Sequence, residues 1–284
     1  STTIADLPAG MNLASRIRKI DTDNQYAMTT LARTTMMLTA LGVNAAKLDD
    51  YSDGKGFEDA NGTMIHDLVS YVYNYTGGYT INGPAFALIA LDMGNYSVPD
   101  NANWTREKLL EVLLNHVYGT NLRDIDMVGA IMYAIAPYQD DPVYGERVRA
   151  KLEEGVKIIT GEKKVSGVDP MREDLKFFSA GSINSEAAGW VIAALCSMGI
   201  DPQTDPRFID GKGNTVISQY MTYATEDGFE HNMGAGKDGM ATYQACYVMQ
   251  WYLSFLKNGG AGHPTWFYYQ RFDFSRPLST ETKI

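Results

Sequence analysis

Apolar segments rich in small residues recur along the chain and dominate its pattern of hydrophobic and polar positions. Four of them share one pattern and a fifth is a weaker relative; they cover residues 31–42, 81–94, 124–137, 184–199 and 240–256. The equivalent alanines Ala40, Ala90, Ala134 and Ala194 follow one another at spacings of 50, 44 and 60 residues. Repeats of this length are typical of a unit made of two helices.

The segments between the apolar repeats carry hydrophobic side chains on one face only. Leu109, Leu113 and Val117 belong to one such stripe, and residues 148–156 and 216–224 contain two more. The repeats, by contrast, contain stretches that are apolar on every face. Because a helix that is apolar all round must be covered on all sides, this alternation predicts an all-α fold in two concentric layers. The apolar helices form the inner layer and the amphipathic helices wrap around them.

Helix start and stop signals agree with this pattern. Asn82 is predicted to cap a helix whose first turn holds a proline, and Gly42, Gly94 and Gly199 stand where helices end. No convincing strand alternation is found before the aromatic tail. We therefore predict a single domain over residues 1–284, with the repeats at about 25–257 and the tail, residues 263–284, packed along them.

Charge and composition exclude several classes of protein. The chain has 24 basic and 34 acidic residues and a formal net charge of −10, without the basic footprint that nucleic-acid binding requires. Its apolar runs are shorter than the ~18 residues of a membrane-spanning helix. Two cysteines and four histidines lack metal-binding spacing, so we expect no metal and no cofactor. Because the sequence begins without Met, we expect a processed or excised fragment, from which a targeting signal could have been lost.

Three strings carry a resemblance to a known family: INGPAFALIALDMGNYSVP, INSEAAGWVIAALCSMGIDPQTDPRF and DGFEHNMGAGKDGMATYQACYVMQWY. They are similar to the terpenoid cyclase/protein prenyltransferase-like α/α-toroid domain of surface proteins of gut Firmicutes, related to the helical domain of transcobalamin-type B12 carriers. The resemblance implies inner and outer rings of antiparallel helices, in about five to six pairs. It also implies a secreted or cell-surface protein with further domains.

In such a toroid the cavity lies at the N-terminal ends of the inner helices, where this sequence has polar and aromatic residues. Those expected to bind a ligand are Asn82, Asp124, Asp126, Glu186, Phe229, His231, Tyr243 and Gln244. Asp126 and Glu186 are also the candidate catalytic residues. The alternative is that both carboxylates only stabilise the starts of their helices. His231 either lines the cavity or lies in a solvated loop.

The enzymatic motifs of the superfamily are incomplete in this sequence. Cyclases that protonate an alkene use Asp-x-Asp-Asp, and here Met127 replaces the last carboxylate after Asp124 and Asp126. The Asp, Cys and His ligands of the zinc-dependent prenyltransferases and the thioester motif of other relatives are not matched. We therefore predict a non-catalytic ligand-binding or adhesion module that binds a small molecule, a peptide or a glycan.

Two other interpretations stay open. One is an enzyme with its active site in the same cavity, either a cyclase-like acid catalyst using Asp126 or a carbohydrate-active enzyme using Asp126 with Glu186. The other is a structural spacer whose cavity is filled by its own side chains.

Overall fold

A computed structural model describes residues 18–20, 24–51, 57–120 and 124–260. The predicted aromatic tail, residues 263–284, lies outside the described residues. Nine α-helices occur in the described part of the chain: α1 (Ala27–Ala40), α2 (Leu68–Tyr73), α3 (Asn82–Met93), α4 (Arg106–Asn115), α5 (Ile125–Ile135), α6 (Gly145–Ile159), α7 (Ser185–Ser197), α8 (Val216–Tyr220) and α9 (Gly239–Lys257).

The mostly helical fold confirms the predicted class, and the helices pack against one another. The five apolar repeats correspond to α1, α3, α5, α7 and α9, whereas the amphipathic segments correspond to α4, α6 and α8. In α3 and α7 nearly every residue is buried, as their uniformly apolar pattern predicts. Helix α9, the weaker relative among the repeats, is only half-buried, with Met240, Tyr243, Leu253 and Leu256 exposed.

Short β-structure was not expected before the tail, and that expectation is wrong. The sheets are β1–β2–β3 (Arg18–Lys19, Phe57–Glu58, Met64–Ile65) and the hairpins β4–β5 (Phe178–Ser179, Ser182–Ile183) and β6–β7 (Phe229–Glu230, Lys237–Asp238). Strands β1 and β2 are parallel, and the other pairs are antiparallel. Because each strand has only two residues, it is too short to show the alternation of apolar and polar residues that indicates a strand.

The chain divides into two compact units, one reaching Leu113 and the other beginning at Leu114. This division does not test the predicted single domain over residues 1–284, which stays a prediction.

In the first unit, α1 and α3 pack side by side and run in the same direction. Near the helix starts, a Cβ atom on Gly83 would lie 3.2–3.4 Å from the Met28 side chain. Near their ends, the hydroxyl groups of Thr39 and Tyr96 are hydrogen-bonded at 2.8 Å. Helix α2 packs against α1. The N-terminal ends of the two buried helices therefore lie at the same end of this unit.

In the second unit, α7 lies between α5 and α9, while α6 packs against α5 and α8 against α7. The Ala180 amide, just before α7, donates to the Asp124 carboxylate at the start of α5 over 3.0 Å. The Ser185 amide, at the start of α7, donates to the His231 carbonyl in the hairpin that precedes α9 over 3.1 Å, and Tyr252 in the second half of α9 donates to Asp201, after α7, over 3.2 Å. Helices α5, α7 and α9 are therefore parallel, and the chain returns through α6 and α8.

Aromatic rings pack between these three helices. The rings of Tyr133 on α5 and Trp251 on α9 are stacked with centroids 4.5 Å apart, and Trp190 on α7 lies 5.8 Å from Trp251. Trp190 is 2% exposed, which confirms that it belongs to the core. Burial of such large rings contributes more to the core than most aliphatic contacts.

Two details of the helix signals differ from the prediction. Asn82 does not cap α3; the helix begins at Asn82 with Ile81 in the cap position, because a turn from Thr80 to Gly83 has already started. Gly94 ends α3 with an ordinary φ of −99°, and the left-handed conformation is taken by Asn95, at φ 45°.

Candidate functional site

Polar side chains meet at the N-terminal ends of α5, α7 and α9. We call them the polar cluster and define it as Asp124, Asp126, Ser179, Ser182, Ser185, Glu186 and His231. The hairpin β4–β5 supplies two of the serines, the start of α7 supplies Ser185 and Glu186, and the residue after β6 is His231. Because the three helices are parallel, segments far apart in the sequence come together here.

Two aspartates hold the β4–β5 hairpin against the start of α5. Asp124 precedes the helix but does not cap it; its carboxylate accepts from the Ala180 amide at 3.0 Å. The Asp126 carboxylate accepts from the Ser179 hydroxyl at 3.0 Å and from the Met127 amide at 2.9 Å. The interpretation of Asp126 as a first-turn residue is therefore right in part, since it also binds a second element.

The environment of Asp126 favours the protonated carboxyl group. The pKa of Asp126 is raised to about 6, mainly by burial and to a smaller extent by the nearby charge of Asp124. The hydrogen bonds from Ser179 and Met127 act in the opposite direction and offset only part of the shift. The residue as a whole is still partly exposed.

Glu186 and His231 form a pair between α7 and the β6–β7 hairpin. The Glu186 carboxylate lies 2.8 Å from Nδ1 of His231, and the two side chains are 14% and 40% exposed. An ionised carboxylate can only accept, so Nδ1 carries the hydrogen, and in the neutral imidazole Nε2 is then an acceptor. That second nitrogen lies 3.5 Å from the Ser182 hydroxyl.

Hydrogen bonds also fix the backbone around His231. The Ser185 hydroxyl donates to the Glu230 carbonyl at 2.8 Å. The Glu230 carboxylate accepts from the amides of Gly234 and Gly236 at 2.6 and 2.9 Å, and both glycines have a positive φ. Glu230 therefore shapes the loop before α9, and the imidazole is presented from a defined turn.

The other predicted site residues are not part of the polar cluster. Phe229 packs against Tyr220 with ring centroids 5.3 Å apart, and Tyr243 on α9 is 37% exposed. Gln244 is buried, which does not fit the predicted rim, because it falls on the side of α9 that packs inward. Asn82 belongs to the first unit, where its side-chain oxygen accepts from the Thr80 hydroxyl.

The serines of the β4–β5 hairpin were not found by sequence reasoning. Ala180 and Gly181 form its turn with φ values of 49° and 89°, both in the left-handed region. The string Ser-Ala-Gly-Ser just before the helix cap Asn184 was the available signal. It is weak because alanine is not a typical residue for such a turn.

In the described residues, neither a metal centre nor a cleft coincides with the predicted site. Within the described ranges, no three His, Cys, Asp or Glu side chains are grouped so that they would hold a metal ion. A cleft of about 530 Å³ lies in the first unit and contains none of the predicted site residues; its lining is Leu31, Ser70, Tyr71, Asn74, Tyr75, Thr76 and Gly77.

Among the described helices, none combines the length and the apolar character needed to cross a membrane. Comparison with known proteins found no family model, no curated protein and no solved structure that matches the chain. The likeness to α/α-toroid domains of the terpenoid cyclase superfamily therefore rests on the sequence strings and stays a prediction.

Proposed function

We propose that the polar cluster, together with Phe229 and Tyr243, binds an uncharged ligand rich in hydroxyl groups, and that a glycan is the class that fits best. The observation that carries this proposal is the environment of Asp126. Its carboxylate accepts from Ser179 and Met127, burial raises its pKa, and the residue remains partly exposed. A ligand hydroxyl can donate to this carboxylate as well, and hydrogen bonds to charged groups contribute ~1.5–3 kcal/mol each.

The charge of the cluster supports an uncharged ligand. Asp124, Asp126 and Glu186 contribute carboxylates, whereas the cluster as defined has no ammonium or guanidinium group. Bringing an anion close to these carboxylates costs Coulomb energy at low effective dielectric constant. Phe229 and the exposed Tyr243 add aromatic faces, and concave sites of polar groups with aromatic residues are typical of ligand binding.

We also propose the α/α-toroid architecture and a role as a binding or adhesion module of a secreted or cell-surface protein. Two observations support the architecture: helices from apolar and from amphipathic segments alternate along the chain, and the helices from apolar segments are parallel within each unit. The proposed location and adhesion role rest on the sequence resemblance.

A glycan array followed by titration calorimetry tests the binding function. We expect that Asp126→Asn and Tyr243→Ala each weaken the binding of the best glycan about tenfold or more, which corresponds to ~1.4 kcal/mol. Tyr26→Ala is the matched control, because Tyr26 is also an exposed tyrosine but lies in the first unit. The proposal is wrong if no glycan binds, or if the three variants bind as the wild type does.

Acid catalysis by Asp126 is the second candidate function, and its pKa of about 6 favours it. A general acid works best when its pKa is close to the operating pH. Product analysis after incubation with the glycan that binds best tests this function. If the glycan is cleaved by the wild type and left intact by Asp126→Asn, the site is catalytic.

A further inference from the structure

We propose that Ser182, His231 and Glu186 form a nucleophile, a general base and an orienting carboxylate that together cleave a carbonyl ester. This activity goes beyond ligand binding, because it assigns a chemical step to three members of the polar cluster. Three elements supply the three side chains: β5, the residue after β6 and the first turn of α7.

The three side chains contact one another in the order that activates a serine nucleophile, from the carboxylate to the imidazole to the hydroxyl. Glu186 lies 2.8 Å from Nδ1 of His231, and the opposite ring nitrogen, Nε2, lies 3.5 Å from the Ser182 hydroxyl. Glu186 holds the imidazole in the tautomer whose Nε2 can take a proton, and Ser182 stands on the side where that proton is removed. The serine–histidine distance is longer than a strong hydrogen bond, as is common in enzymes without substrate.

Ser182 lies in the β4–β5 hairpin, whose backbone is held by hydrogen bonds to the start of α5. The Ala180 amide is bound by Asp124 and the Ser179 hydroxyl by Asp126, so both residues before the turn glycine are anchored to α5. Ala180 adopts a φ of 49°, a conformation that is costly for a residue with a side chain. The two anchors hold this conformation and thereby position Ser182.

Substrate can reach Ser182 and His231. Ser182 is half-buried and His231 is 40% exposed, whereas Glu186 is largely covered, as an orienting carboxylate should be. A Cβ atom added to Gly181 would have no atom within 4 Å, so there is open space next to the nucleophile. The carboxylates of Asp124 and Asp126 near the hairpin favour an ester without negative charge.

The reaction needs no group besides the ester and water. The Ser182 oxygen bonds to the acyl carbon while its proton passes to Nε2 of His231. The bond between the acyl carbon and the alcohol oxygen then breaks, and His231 returns the proton to the departing alcohol. Water repeats the sequence on the acyl-serine, with His231 again taking and returning a proton, and releases the carboxylic acid with free Ser182.

A fluorophosphonate probe, read by peptide mass spectrometry, and hydrolysis of p-nitrophenyl acetate test the proposal on the full chain. We expect one adduct, on the peptide that contains Ser182, and none in Ser182→Ala. His231→Gln should slow both labelling and hydrolysis about a hundredfold, and Glu186→Gln about tenfold or more. His66→Gln is the matched control, because His66 also binds a carboxylate, that of Asp49 at 2.6 Å; it should react at the wild-type rate.

The proposal is overturned if the wild type is not labelled, if the adduct is on another residue, or if His231→Gln reacts as fast as the wild type. Should the histidine variant fail to fold, Ser182→Cys takes its place. Its new thiol should react with iodoacetamide faster than the exposed thiol of Cys246, and an equal or slower rate contradicts the proposal. Glycan binding by the wild type separates the two proposals: a wild type that binds a glycan but is not labelled refutes only the esterase.

Discussion

The backbone of Trp190 on α7 lies against Gly129 on α5 so closely that a Cβ atom on residue 129 would be 2.7 Å from the Trp190 carbonyl carbon and oxygen. Both residues lie in the second turn of their helices, which places the contact close to the polar cluster. The absence of a side chain at Gly129 therefore sets the distance between the two helices that carry Asp126 and Glu186.

We predict that Gly129→Ala destabilises the protein by ~1–3 kcal/mol, because the neighbour is backbone and cannot move aside as a side chain would. This loss outweighs the gain of up to ~1 kcal/mol that alanine brings to a helix. Gly239→Ala at the start of α9 is the control, since nothing lies within 4 Å of its Cβ position. Urea denaturation measures both, and an unchanged midpoint for Gly129→Ala would contradict the packing described for α5 and α7.

The raised pKa of Asp126 predicts a pH-dependent contribution to stability. The folded protein holds this proton up to about pH 6, whereas the unfolded chain releases it near the ordinary value of 3.8. The contribution is therefore complete below pH 4 and is lost as the pH rises through 6. Asp126→Asn, which cannot ionise, should be more stable than the wild type at pH 8 by ~1–3 kcal/mol.

Denaturation at pH 4, 6 and 8 checks this prediction, with the difference between variant and wild type as the measured quantity. The difference should grow with pH over this range. A variant that is less stable than the wild type at pH 8 would show that the hydrogen bonds of the carboxylate outweigh its burial.

His116 should act in the opposite direction in the same pH range. Burial and, to a smaller extent, the charge of Lys151 lower the pKa of His116 from 6.5 to about 4. The unfolded chain binds the proton first, so the folded protein loses stability as the pH falls from about 6.5 towards 4. His116→Phe should reduce this acid sensitivity. Melting temperatures at pH 4.5 and 7.5 test it, and an unchanged difference between them would refute the prediction.

Lys151 on α6 is a buried cation, 8% exposed, and its ammonium group is held by three contacts. It lies 3.9 Å from the Tyr118 ring centroid, donates to the His116 carbonyl at 2.5 Å and lies 3.2 Å from the Glu154 carboxylate. Lys151→Ala should cost ~2–4 kcal/mol, because it removes all three contacts and leaves a cavity.

Lys157→Ala is the control for Lys151→Ala, since Lys157 is an exposed lysine on the same helix. We expect a change within ~0.5 kcal/mol for it. Chemical denaturation of both variants provides the measurement. Equal stabilities of the two variants would mean that the buried contacts of Lys151 contribute nothing.

Sequence reasoning located the helices well and the site in part. Carboxylates at the predicted starts of α5 and α7 are indeed at those starts, and the structure joins Glu186 to His231. The inward position of Gln244 and the separate unit of Asn82 were not foreseen. Side-chain direction on a helix depends on which neighbour covers it, and a single apolar repeat does not identify that neighbour.

The period of the hydrophobic positions alone was enough for the helical class and for the burial of α3, α5 and α7 on all faces, but not for α9, which is only half-buried. Residues that are close in the chain determine whether a helix is buried on one face or on all faces. Only the tertiary structure decided two other features. It brings Ser182 to His231, 49 residues away in the sequence, and it anchors the β4–β5 hairpin to Asp124 and Asp126. Such contacts arise because parallel packing brings three helix starts to one end, and nothing in the local sequence encodes that packing.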